Sequence, residues 1–140
     1  ISVNASEEME QAVKKFSTAL GLAFQIRDDI FDYSQDQGIG KPVGVDVMEQ
    51  KITLPLLGAL DDVSEEEASE VRARVSAIHE HPENREFIMD FVKLHGGVRY
   101  AEKELEGYIE EAVNAINVLP ESGYRQMLAD LARYVGTRSK

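Results

Sequence analysis

Along most of this chain apolar side chains return every three or four residues, and runs that alternate every second residue are hard to find. Val98, Ala101, Leu105, Tyr108, Ile109, Ala112, Ile116 and Leu119 form the longest such series. That period lays them along one stripe of an α-helix and does not suit a half-buried strand, so the expected fold class is all-α. The first helix is expected to start after Ser6, an N-cap residue followed by Glu7 and Glu8, and to run to about Tyr33. The loop SQDQGIGKPVG ends it, and a short helix from Thr53 to Leu60 follows, with Pro55 tolerable in its first turn. Ser64 and Glu67 have capping-box spacing for a helix to about Ile78. Pro82 opens another, from Glu83 to about Leu94, closed by Gly96 and Gly97. Pro120 stops the long stripe, and a last helix holds Tyr124, Met127, Leu128, Leu131 and Val135. These stripes are most simply core.

Charge narrows the partners. The 140 residues hold 26 acidic and 15 basic side chains, for a formal charge of -11, so neither nucleic-acid phosphates nor anionic lipid heads would be attracted. An anionic ligand would need a cation between it and the protein. The longest apolar-rich run, Ile52 to Leu60, is far shorter than the roughly 20 residues of a membrane span and contains Pro55, so no stable membrane insertion is expected. Cysteine is absent, which removes disulfides, thiolate metal sites and thiol catalysis and suits a cytoplasmic location. The first residues lack the basic-then-apolar pattern of a signal peptide. The chain opens ISVNASEE without an initiator methionine, as expected of a piece of a longer protein.

Against this background FQIRDDIFDYSQDQGIGKPVGVD, from Phe24 to Asp46, is unusual in crowding aspartates beside large apolar residues. On a helical wheel Asp28, Asp32, Gln25 and Asp29 fall at about 0°, 40°, 60° and 100°, one narrow polar face. Phe16, Ala19, Leu20, Ala23, Phe24, Ile26, Ile30 and Phe31 occupy most of the other side, and Arg27 is left at an edge or snorkelling. Taken alone, aspartates at this spacing are more often an ordinary solvated face than a ligand site, and DDVSE at Asp61, Asp62 and Glu65 repeats the pattern as acid at a helix start. Only the first copy has a glutamine on its face and leads into GIGKPVGVD with Lys41, Asp46 and then Lys51. Glycine-rich backbone and an ammonium can approach an oxyanion, while Mg²⁺ is commonly held by one or two carboxylates plus substrate phosphates. Together these make half of a diphosphate site. His79 and His81 are two apart, on different sides of a helix, and read as surface residues. His95 reads as a helix end whose partial positive charge suits the dipole.

The segments GLAFQIRDDIFDY, GKPVGVD and QKITLPLL closely resemble the second aspartate-rich region of the trans-isoprenyl diphosphate synthases, the polyprenyl synthetases. GGVRYAEKELEGYIEEAVNAI resembles the helix that follows the paired glycines of that family. The resemblance covers essentially residues 1–140 and matches the C-terminal part of such an enzyme. It implies an all-α bundle around a deep cavity, commonly dimeric. It also implies head-to-tail condensation of isopentenyl diphosphate with an allylic diphosphate, and Mg²⁺ as cofactor between two aspartate-rich motifs. Carried over by position, Asp28 would be the principal metal ligand, with Asp29 and Asp32 binding directly or through water. Gln25 and Lys41 would contact the diphosphate, with Lys51 farther along, and Asp46 would orient nearby lysines. Arg138 and Lys140 resemble C-terminal residues that approach isopentenyl diphosphate.

Two positions depart from the family pattern: Gln50 stands where glycine usually precedes the second lysine, and Val45 where a small polar residue is common. The first aspartate-rich motif and the arginines after it are absent from these 140 residues, so the chain alone is expected not to condense its substrates. Two alternatives stay open: a non-catalytic accessory subunit of a heteromeric prenyl synthase, and a terpene cyclase.

Overall fold

Ser64 does what its spacing requires: its hydroxyl accepts from the Glu67 amide at 3.2 Å, and the helix runs Glu65–Ser76. In this computed structural model, which describes residues 2–33, 44–119 and 123–137 (side chains of 2–6 and 137 excepted), no strand occurs among the described residues. The helices are α1 Ser2–Phe31, α2 Val45–Met48, α3 Leu54–Asp61, α4 Glu65–Ser76, α5 Asn84–Leu94, α6 Gly97–Ala115 and α7 Gly123–Thr137, with a 3-10 turn at Ile116–Val118.

Three points differ from what the sequence predicts. Ser6 lies inside α1, which is already helical at Ser2. The four-residue α2 falls between the expected loop at 34–44 and the helix expected from Thr53, where the sequence predicts no element because a single turn carries no apolar period. Gly97 opens α6 rather than closing α5, whose left-handed exit is Gly96 at φ 68°. Gly97 must be glycine for another reason: a Cβ there would run into the carbonyl oxygen of Pro55.

The chain divides into two compact units, Ile1–Arg27 with Lys103–Lys140, and Asp28–Glu102. In the first, Ala12, Phe16 and Ala19 of α1 pack with Ala112 of α6, Ile116, Leu119 and the small residues Ala129 and Ala132 of α7. Alanines at these contacts let helix backbones approach closely. The unit also leaves Met9, Val13, Phe24, Tyr124, Met127, Leu131 and Tyr134 exposed. In the second unit, Leu56, Ala59 and Leu60 of α3 meet Val71 and Val75 of α4 and Ile88 and Val92 of α5, with Tyr33 and Val47 in the same core. No helix among the described residues is long and apolar enough to cross a membrane.

Candidate functional site

The aspartate strip is not an evenly solvated face. Asp28 is exposed, but Asp29 and Asp32 are only 9% and 8% accessible. Burying carboxylates costs free energy unless partners replace water, and for Asp32 the partners are plain. Its Oδ1 accepts from the Val45 amide at 2.8 Å and its Oδ2 from the Asp46 amide at 3.2 Å. Its main-chain oxygen takes the Gly44 amide at 2.9 Å. One residue therefore satisfies three consecutive N–H groups, including the donors that open α2, whose own N-cap residue Gly44 has no side chain to offer. Burial raises the Asp32 carboxyl above the usual range, the Asp46 amide opposes this, and the Asp46 charge adds to it.

Gly44 can fill its place because it is left-handed, φ 75°. Arg85 of α5 lies directly over it: a Cβ at position 44 would come within 2.5 Å of Arg85 Nε. Nothing in the sequence pointed to Arg85, whose neighbour here lies far away along the chain.

Beyond α2 the chain turns sharply. The Lys51 amide donates to the Asp46 carbonyl at 2.9 Å, and the Lys51 ammonium lies 3.7 Å from Asp46 Oδ1 and 3.1 Å from Glu49. Bonding to Glu49, with the Glu49 and Asp46 charges, raises the exposed Lys51 ammonium further above its ordinary value. Gln50 stands in the left-handed region at φ 63°, which explains why glycine would suit this position. Its side-chain amide donates to the Ser76 carbonyl at 2.7 Å, and His79 Nε2 meets the Met48 carbonyl at 2.8 Å. Since a carbonyl only accepts, Nε2 of His79 carries the proton. The α2 segment is thus held by Asp32 at one end and by the end of α4 at the other.

Tyr33 is buried beneath this arrangement, its hydroxyl beside that of Thr53. Among the described residues neither hydroxyl finds a partner at full hydrogen-bonding geometry. Burial drives the Tyr33 hydroxyl strongly upward, the Thr53 contact opposes this, and the charges of Asp32, Asp46 and Asp29 reinforce it.

The predicted residues therefore separate. Asp28, Asp29, Asp32, Asp46 and Lys51 share the unit Asp28–Glu102. Gln25 is exposed on α1 in the other unit, and Lys41, Arg138 and Lys140 lie outside the described residues. Arg27, expected at an edge, is 4% accessible and stacks its guanidinium 4.4 Å from the Phe24 ring centroid. One member of the second acidic copy has a structural use: Asp62 stands 3.1 Å from His95, which Glu67, outside that copy, flanks at 3.7 Å.

The sequence profile of the family described as Polyprenyl synthetase matches residues 1–92. The chain belongs to this family. Octaprenyl diphosphate synthase of Haemophilus influenzae is 37% identical over 136 residues, 94% of this polyprenyl synthetase chain and 40% of that protein. The crystal structure of a decaprenyl diphosphate synthase from Rhodobacter capsulatus superposes with a TM-score of 0.80 at 34% identity, covering 96% of this chain and 42% of that one. Geranylgeranyl pyrophosphate synthase from Corynebacterium glutamicum, solved with calcium and isoprenyl diphosphate, gives a TM-score of 0.73 at 30% identity over 91% of this chain and 40% of that one. This polyprenyl synthetase chain thus spans about two fifths of the length of the relatives it matches. The all-α expectation holds against them.

Among the described residues no three His, Asp or Glu side chains converge as a complete metal cage. Magnesium does not need one, because it keeps waters and takes phosphate oxygens alongside one or two carboxylates. Exposed Asp28 with neighbouring Asp29 fits such a shared ion.

Proposed function

We propose that this chain is the diphosphate-gripping part of a prenyltransferase, one that joins isopentenyl diphosphate head-to-tail to an allylic diphosphate. The observation that carries the reading is the attachment of the α2 segment to the end of α1: through Asp32, the acidic strip and the Asp46–Lys51 pair belong to one built structure rather than to two loops. The Corynebacterium relative, which holds calcium and isoprenyl diphosphate, supports it from outside.

In this reading Asp28 and Asp29 would hold Mg²⁺, directly or through water, where it could meet a diphosphate, with Asp32 at the back of the strip. When bound, the ion offsets the negative charge that grows as the allylic C–O bond breaks. Lys51 brings a fixed positive charge to the same anion, and Asp46 restrains the direction of that side chain. Gln25, one helical turn before Asp28, and Lys41 contribute polar contacts to the diphosphate, and Arg138 and Lys140 approach isopentenyl diphosphate. The aspartates bind and orient; the carbon chemistry needs the cavity of a whole enzyme.

Calorimetric titration with inorganic pyrophosphate in the presence and absence of Mg²⁺ tests this. Binding that requires Mg²⁺ and weakens at least about tenfold in Asp28→Asn is expected. Equal affinity with and without the ion, or in the variant, would refute the reading. Incubated with labelled isopentenyl diphosphate, an allylic primer and Mg²⁺, the 140-residue chain is expected to give no elongated product.

A further inference from the structure

We propose that Asp32 is a positioning residue rather than a metal ligand: it sets where Asp46 and Lys51 stand relative to Asp28. The proposal rests on the diphosphate reading and assigns the third aspartate of the motif a task different from that of the first two.

Three observations carry it. Both carboxylate oxygens of Asp32 are directed at main-chain amides, Val45 at 2.8 Å and Asp46 at 3.2 Å, and the side chain is buried where Asp28 is exposed. A metal drawing on these oxygens would compete with the part-buried Val45 and Asp46 N–H groups that they accept from. Next, the amides it holds belong to the residues that govern Lys51: the Asp46 carbonyl takes the Lys51 amide at 2.9 Å, and Asp46 Oδ1 stands 3.7 Å from its ammonium. Finally, the segment cannot drift at its far end, where His79 holds the Met48 carbonyl and Gln50 holds the Ser76 carbonyl. With that end fixed, Asp32 decides whether the near end stays against α1. Helix capping and ligand positioning are here one interaction.

The test combines amide exchange by NMR with pyrophosphate titration and counting of bound Mn²⁺ by electron paramagnetic resonance, all on the 140-residue chain. Asp32→Ala is expected to speed exchange of the Val45 and Asp46 amides by at least about tenfold. It should weaken pyrophosphate binding about five- to tenfold while leaving the number of Mn²⁺ ions per chain unchanged. Adding Lys51→Ala to it should cost no further affinity, since Lys51 acts through the contact already lost. Asp28→Ala should do the reverse: the metal count falls and the two amides stay protected. Should Asp32→Ala fail to fold, Asp32→Asn decides, because its single carbonyl oxygen can keep only one of the two amides protected, again at an unchanged metal count. Loss of a Mn²⁺ ion with both amides still protected makes Asp32 a ligand and overturns the proposal; so do effects of Asp32→Ala and Lys51→Ala that multiply. If the unaltered chain binds neither Mn²⁺ nor pyrophosphate, the diphosphate reading itself falls. Asp32 would then be a structural cap alone, whatever the amides show.

Discussion

Gln50 and Ser76 are joined across the second unit: the Gln50 backbone turns left-handed at φ 63° while its side-chain amide donates to the Ser76 carbonyl at 2.7 Å. A residue with a Cβ gives up roughly 1–2 kcal/mol in that conformation, and an exposed hydrogen bond returns about 0.5–1.5 kcal/mol. Gln50→Gly should therefore be slightly stabilising, by about 0.5 kcal/mol, and Gln50→Ala destabilising by about 1 kcal/mol, because alanine keeps the strain and loses the bond. Thermal denaturation of the two variants beside the unaltered chain checks the opposite signs.

Gly97 and Gly107 both lie in α6 and should respond oppositely to alanine. At Gly97 the new methyl would overlap the Pro55 carbonyl and crowd Val92, and backbone cannot yield as a side chain can. A loss of about 3 kcal/mol or more is expected from such overpacking. At Gly107, exposed and mid-helix, a Cβ meets nothing within 4 Å, so alanine should stabilise by about 0.5–1 kcal/mol. Urea unfolding of each variant measures both.

Alkaline pH should strike at Tyr33. Burial holds its ionisation above the ordinary value of about 10, so the unfolded chain releases that proton first. The contribution to stability is complete below about pH 10 and is lost as pH climbs above it. Tyr33→Phe removes the proton and should flatten the decline of stability between about pH 10 and 12, measured by urea midpoints at each pH. An identical decline in the variant would assign it elsewhere.

Exposed apolar side chains of the first unit should make the chain associate with itself. Tyr124, Met127, Leu131 and Tyr134 of α7 recur at spacings of three and four, all exposed, and opposite them Ala132 and Val135 face the core. Light scattering should show mass rising with concentration, and an apolar-sensitive dye should bind. Met127→Glu with Leu131→Glu should reduce both signals severalfold without loss of helix content, because neither side chain is in the core.

Much of this molecule could be read from residue order alone, and the reason is locality. A 3.6-residue period, the Ser64–Glu67 cap and the left-handed Gly96 each depend on neighbours a few positions away, so the sequence already contained the helices from α3 onward and the all-α class. The same holds for the aspartates at helical spacing and for the family resemblance that the profile match later bore out. What could not be read is what depends on chain segments meeting. Asp28, Asp29 and Asp32 look alike in sequence, yet one is exposed and two are buried, because only folding brings the amides of Val45 and Asp46 to Asp32. Gln50 looked like a departure from pattern until Ser76 arrived beside it, and Gly97 looked like a helix stop until Pro55 did. Burial and hydrogen-bond partnership are properties of pairs distant in sequence, and it was the tertiary structure that decided which aspartate faces solvent and which one holds the fold.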